Sequence, residues 1–338
     1  SAVMVNNSNE LTTKMGHLLE YGSDGATGVY LKEVGGPVLA SLNPTFVHEP
    51  SRSLKVTHHL YAMRRVMLGE DHLHNHFLVA EGRDGSCPND GAPFNDQSLQ
   101  ETLGGMMWDS DNTDTRAIEL RYGRSAINDT SQSLVGMTNT SINRRMGCGE
   151  FPLNATTLED MTRLYEGVAQ GLYLDPYHRD VFYLLMQSEN TSDPWWFTTQ
   201  LEDLIHEVAT DLGVPEVAAD YWDDTRLAWK PGDDHFGYDT YDRYWRSLSG
   251  WVSLPWSCGD MRYSNKEFVF GLFINDARND ANARFRYFTH TIELFREQVT
   301  AGLIACVSAA DDQAGTPAAP LRLAAYPNPF NPRTTIRF

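Results

Sequence analysis

At 338 residues with a formal net charge of −18, the chain is long enough for one large domain or two subdomains. It is too acidic to favour nucleic-acid phosphates or an anionic membrane surface, and no basic stripe offsets that charge. Apolar residues make up 41% and charged residues 21%, a globular balance, and no window approaches the ~18 uninterrupted apolar residues of a membrane span. The chain opens at Ser1 with neither a charged nor an apolar leader stretch, so a signal peptide is expected to have been removed or never included.

Taken in chain order, Leu11 to Leu19 reads as a short amphipathic helix and Thr27 to Val34 as a strand. Gly35-Gly36-Pro37 then turns the chain into a second strand, Val38 to Leu42. The centre is mostly helical: Lys55–Leu68, Ser98–Met107, Thr113–Tyr122, Leu158–Gly171 and Gln200–Leu212 all carry the helical period. Thr156-Thr-Leu-Glu159 and Thr199-Gln-Leu-Glu202 have the form of capping boxes. Leu248–Leu254 and Lys266–Ile274 are rich in β-branched and aromatic residues and read as strands. A long helix follows over Ala281–Ile304, where Phe285, Phe288, Ile292, Phe295, Val299 and Leu303 form one apolar stripe. The pattern predicts an α+β fold whose sheet strands come from both chain ends and whose centre is helical.

Cys87, Cys148, Cys258 and Cys306 contain no C-x-x-C pair, so neither a zinc ribbon nor a redox motif is on offer. In an oxidising compartment three connectivities are open, and 87–148 with 258–306 is the first choice. His72, His74 and His76, with His58 and His59, alternate without a partner carboxylate motif; they read as a solvated loop and helix residues, and no metal or cofactor is expected.

Four short segments carry residues suited to acyl chemistry. Lys55 begins the helical run after Pro50-Ser51-Arg52-Ser53-Leu54, and the residue one turn before it is Arg52, which cannot act as a nucleophile. On an α-helix Ser53 would lie about 200° from Lys55 and Ser51 about 40° from it, so Ser51 is the hydroxyl expected on the lysine's face, otherwise serving as an N-cap. Ser110-Asp111-Asn112 precedes a helix. Glu150-Phe-Pro-Leu-Asn154 sets a carboxylate and an amide at a spacing suited to holding one water. Lys230-Pro231-Gly232 follows far downstream, and Arg246 lies beyond it as a candidate anion-binding arginine.

In order and spacing these segments resemble the S-x-x-K, S-D-N and K-T-G motifs of the serine β-lactamase and penicillin-binding-protein superfamily, with a class A-like E-x-x-L-N. The resemblance covers about residues 10 to 305 and implies an antiparallel sheet flanked by helices plus a helical subdomain. The corresponding domain would occupy 1–306, its α/β part about 10–55 and 225–306 and its helical part about 56–224. It implies Lys55 as base, Ser110 as proton relay, Glu150 as water activator and Lys230 as electrostatic anchor. Asn112, Asn154, Gly232, Arg246 and Arg52 would contact substrate. Pro231 replaces the hydroxyl residue that would grip a substrate carboxylate, and Arg52 stands where the serine would be.

Two readings stay open. One is acyl transfer or hydrolysis of a β-lactam, amide or ester; the other is a silent member binding a peptidoglycan-like or acidic ligand. Beyond Cys306, residues 307–320 have linker composition. Tyr326-Pro-Asn-Pro-Phe-Asn-Pro332 and the Thr-x-Ile-x-Phe that ends at Phe338 resemble the opening of a type IX secretion sorting domain. That resemblance makes 321–338 the start of such a domain and implies a secreted or surface-attached bacterial protein whose partner is the secretion machinery.

Overall fold

Strands from the two ends of the chain meet in one five-stranded antiparallel sheet. The structure, a computed structural model, describes residues 6–20, 25–80, 87–88, 91, 93–186, 196–238, 241–257, 264–278 and 280–313. Helix α1 (Asn6–Glu20) leads into β1 (Ala26–Glu33) and β2 (Val38–Leu42). A single 3₁₀ turn, Ser51–Leu54, opens α2 (Lys55–Met67), and a two-stranded ribbon, β3 (His76–Ala80) and β4 (Phe94–Ser98), follows. The helical part continues through α3 (Leu99–Met107), α4 (Asn112–Tyr122), α5 (Arg124–Asp129), α6 (Leu158–Ala169), α7 (Pro176–Leu184), α8 (Phe197–Asp211) and α9 (Ala218–Asp224). Strands β5 (Arg226–Tyr238), β6 (Tyr241–Ser257) and β7 (Ser264–Ala277) and helix α10 (Asp280–Gln313) complete the chain, and the sheet runs β2-β1-β7-β6-β5. This is the expected α+β arrangement.

Two apolar layers hold the sheet, and β7 shows why. Its side chains alternate between faces, so Phe268, Phe270, Leu272 and Ile274 pack with α1, α8 and α10, while Val269 and Phe273 pack with the helical part. The run is apolar on both faces because both are covered. On the first face Phe197 stacks on Phe270, and Phe295 meets Phe270 edge-on.

Several local expectations change. The cap of α6 is Thr157, whose side chain accepts from Asp160 N, rather than Thr156. Thr199 lies inside α8, which starts at Phe197 without a side-chain cap. A full capping box instead joins Ser98 and Glu101 at the start of α3. Ser51 caps nothing: it sits at φ +50 in the 3₁₀ turn, after Pro50. Helix α10 runs on to Gln313, into the stretch of linker composition. The sorting-like segment 321–338 lies outside the described residues.

The Cys87–Cys148 disulfide is present as expected. Cys306 is also disulfide-bonded, and its expected partner, Cys258, lies outside the described residues. No described helix is long and apolar enough to cross a membrane.

Candidate functional site

The 3₁₀ turn determines which side chain accompanies Lys55. With about three residues per turn, side chains three apart eclipse, so Arg52 rather than Ser51 shares the face of Lys55. The sequence argument assumed α-helical steps and so favoured Ser51. In the structure Ser51 and Ser53 are both buried; Ser53 Oγ donates to Pro50 O at 2.7 Å, and Ser51 Oγ has no hydrogen-bond partner.

Strand β5 packs directly on this turn. A Cβ on Gly232 would come within 2.5 Å of Ser247 Oγ, 2.6 Å of Ser53 N and 2.7 Å of Arg52 N. Gly232 is therefore required for strand-to-turn contact, which leaves its expected role in admitting substrate without a geometric basis. Next to it, Asp233 Oδ1 accepts from Arg52 Nη1 at 2.6 Å, and Arg246 Nη1 lies 3.7 Å from Asp233 Oδ2. Arg246 is nearly buried and also donates to Trp245 O. The two arginines expected at separate points thus share one carboxylate.

Both lysines grip the connection between α3 and α4. Lys55 Nζ donates to Ser110 O at 2.5 Å, and Lys230 Nζ donates to Met107 O at 2.8 Å. Both are fully buried. Burial, reinforced by the positive charges of Lys230 and Arg52, holds the Lys55 ammonium well below the ordinary lysine value. Burial, with Arg52 nearby, brings Lys230 down to about 7. Ser110 has φ +58, an uncommon conformation for a residue with a side chain, and its Oγ has no hydrogen-bond partner. Asp111 caps α4 by accepting from Thr113 N at 2.6 Å, which places Asn112, nearly buried, at the first helical position.

In front of this floor opens a cleft of about 980 Å³, bounded by Arg52, Ser110, Asn112, β4, α3 and Leu185. Asp96, Glu101, Asp109, Asp111 and Asp114 all contribute to its lining, and Arg52 is the one cation there among the described residues.

Glu150 and Asn154 stand apart from it. Glu150 is exposed, lies outside the cleft lining and pairs with Arg145 at 2.6 Å, which lowers its carboxyl. Asn154 is buried, but its Oδ1 accepts from Asn143 N at 2.8 Å and Arg144 N at 2.9 Å, so it clamps its own loop. The water-holding pair expected from E-x-x-L-N is therefore not assembled at the cleft.

Sequence reasoning missed a buried charge group behind the turn. Arg144 Nη2 donates to Asp234 Oδ2 at 2.9 Å and lies 3.5 Å from Glu49 Oε1. Burial raises Glu49 to about 7 despite Arg144, and burial also raises Asp234. Asp233 and Asp234 follow Gly232 directly, so their sequence position offered a signal, whereas nothing in the sequence joins them to Arg144.

The model of the β-lactamase enzyme family matches residues 10–208, more than half of the chain. This chain belongs to the β-lactamase enzyme family. No curated protein matches the sequence. Among solved structures, a β-lactamase from Chitinophaga pinensis is 18% identical with a TM-score of 0.63, covering 86% of this chain and 99% of its own. A class A β-lactamase from Bacteroides cellulosilyticus is 15% identical with a TM-score of 0.68, covering 88% and 100%. The protein PBP-A is 19% identical with a TM-score of 0.61, covering 86% and 95%. At these identities the likeness establishes the fold: an antiparallel sheet flanked by helices, shared with class A β-lactamases.

Proposed function

We propose that this family member is catalytically silent at the usual position and uses its cleft to bind a peptidoglycan-like ligand outside the cytoplasm. The observation that carries this is Arg52: it eclipses Lys55 where a serine would have to stand, and Asp233 fixes it at 2.6 Å. A protonated guanidinium has no lone pair with which to attack a carbonyl. Arg52 supplies what a ligand carboxylate needs, and the acidic lining of Asp96, Glu101, Asp109 and Asp114 suits an ammonium group. A peptide with both charges, such as the stem peptide of a muropeptide, fits that distribution. The disulfide supports an oxidising location, and secretion through a type IX signal at 326–338 extends the same proposal.

A second reading has one observation behind it. Ser51 Oγ is buried without a hydrogen-bond partner, which leaves a hydroxyl uncommitted beside the site. Intact-mass and peptide mapping after incubation with a fluorescent penicillin and a fluorophosphonate separates the two. No adduct is expected on the native chain; an adduct on Ser51 or Ser53 would establish acylation and overturn silence. Calorimetric titration with a soluble muropeptide ending in a free carboxylate should show binding that Arg52→Ala abolishes. Absence of that binding would remove the ligand class. Arg52→Ser should gain labelling on the peptide containing position 52, because both lysines stay in place.

A further inference from the structure

The cleft's arginine is connected to the disulfide by polar contacts and by neighbours along the chain. Cys87 is exposed and Cys148 is buried, and their bond ties the segment after β3 to the loop before α6. In that loop the Arg144 guanidinium is buried and donates through Nη1 to the carbonyl of Cys148 itself. Through Nη2 it reaches Asp234 at 2.9 Å and Glu49 at 3.5 Å. Glu49 Oε1 in turn accepts from Ser51 N at 3.1 Å, the residue before Arg52. Asp234 follows Asp233, the partner of Arg52.

Glu49 cannot move freely to follow a displaced Arg144. Its backbone N donates to Asn275 Oδ1 at 2.6 Å, and its carbonyl accepts from Asn275 Nδ2 at 3.1 Å. One guanidinium therefore serves two low-exposure carboxylates whose chain positions flank Arg52 from the turn and from β5. Withdrawing it leaves Glu49 and Asp234 without their shared donor at low exposure, a costly arrangement even when Glu49 takes up a proton. A shift of the turn or of β5 lets these carboxyl groups find new partners, and either shift moves Arg52 or its counterion.

We infer that Arg144 is a positioning residue for Arg52 and that the Cys87–Cys148 disulfide is a redox control on the cleft. Reduction takes up two electrons and two protons, converts the S–S bond into two thiols, and is carried out by a dithiol that closes into its own disulfide. The loop that carries the Cys148 carbonyl is then released from the β3 side, Arg144 loses its anchor, and Arg52 leaves the position that Asp233 and the turn give it. Its bearing on ligand binding rests on the proposed function, whereas the control of Arg52 does not.

Hydrogen-exchange mass spectrometry of the full chain without ligand tests it. Cys87→Ser/Cys148→Ser and Arg144→Met should each speed exchange at least threefold in peptides covering 49–54 and 230–236, with α6 still protected. Arg144→Lys should keep most of the protection. Dithiothreitol, at a concentration where mass analysis shows Cys87–Cys148 reduced and Cys306 still bonded, should reproduce the effect in the native chain and add nothing to it in Arg144→Met. Faster exchange confined to 87–91 and 143–150, or independent additive effects of reduction and Arg144→Met, would overturn the inference. Should the variants lose protection in α6, the dithiothreitol-treated native chain decides between the same two outcomes. Failure here leaves the cleft's proposed role standing, since no ligand enters the measurement.

Discussion

Glu49→Gln should raise stability by about 1 kcal/mol at pH 5 and by roughly 3 kcal/mol at pH 8. The carboxyl goes from an ordinary 4.5 in the unfolded chain to about 7 in the folded one, because burial outweighs the attraction of Arg144. At about 1.4 kcal/mol for each tenfold change in proton affinity, that difference corresponds to roughly 3 kcal/mol. The sign follows from proton counting. Between pH 4.5 and about 7 the folded state holds a proton on Glu49 that the unfolded state has lost, so stability falls as pH rises through this window. Above it both states are ionised and the folded one carries the whole penalty; below it neither is charged and the penalty vanishes. Glutamine keeps the shape and an acceptor for Ser51 N while removing the charge. Other buried groups titrate nearby, among them His48 and His59, both lowered to about 4 by burial, so only the difference between variant and native chain isolates Glu49. Urea unfolding of both proteins at pH 5, 6, 7 and 8, with disulfides intact, gives that difference. A difference that stays flat across the series would refute the burial argument.

Lys230→Met tests the opposite sign. With a folded value of about 7 against 10.5 unfolded, the lysine makes the native chain more stable as pH rises from 7 toward 10, and the variant should lack that gain in the same urea series. Gly232→Ala should destabilise by about 1–3 kcal/mol and shift the turn at residues 52–53, since its Cβ would lie 2.6 Å from Ser53 N and 2.7 Å from Arg52 N; unchanged urea midpoints would mean that β5 yields easily.

The elements that were legible in the sequence are those whose burial leaves a period. β7 and α2 show this: one alternates, or runs apolar where both faces are covered, and the other repeats at three and four. The β3–β4 ribbon was not legible, because Phe94-Asn-Asp-Gln-Ser98 is short, polar and half exposed. β5 was hidden for a different reason. Pro231, Gly232, Asp233 and Asp234 are poor strand formers, and they are tolerated because β5 is an edge strand with the 3₁₀ turn against it. The grouping behind the cleft was legible as motifs, since Lys55 and Lys230 both hold the α3–α4 connection that presents Ser110 and Asn112. Two features were not: the tighter pitch before Lys55, which takes Ser51 off the face that Arg52 shares with the lysine, and Arg144, whose partner Asp234 is 90 residues away. Ion pairs between distant loops leave no pattern in a single sequence.

The charges around position 52 explain how an arginine is accommodated there and what undoing it requires. A third cation has joined two lysines, yet burial favours the neutral forms of Lys55 and Lys230, and Asp233 supplies the matching anion to Arg52. The substitution and its counterion therefore form a pair. Replacing only the arginine leaves Asp233 with Arg246, 3.7 Å away, as its remaining cation among the described residues, and a less fully neutralised carboxylate beside the site. Two like charges about 4 Å apart in water repel by about 1 kcal/mol, close to a fivefold effect on rate. Arg52→Ser/Asp233→Asn should therefore react with penicillin about fivefold faster than Arg52→Ser alone. With an uncharged fluorophosphonate the two variants should react alike, since that probe brings no carboxylate to be repelled. Equal penicillin rates, or an equal gain with both probes, would show that Asp233 acts on the fold of the turn and not on the charge of the ligand.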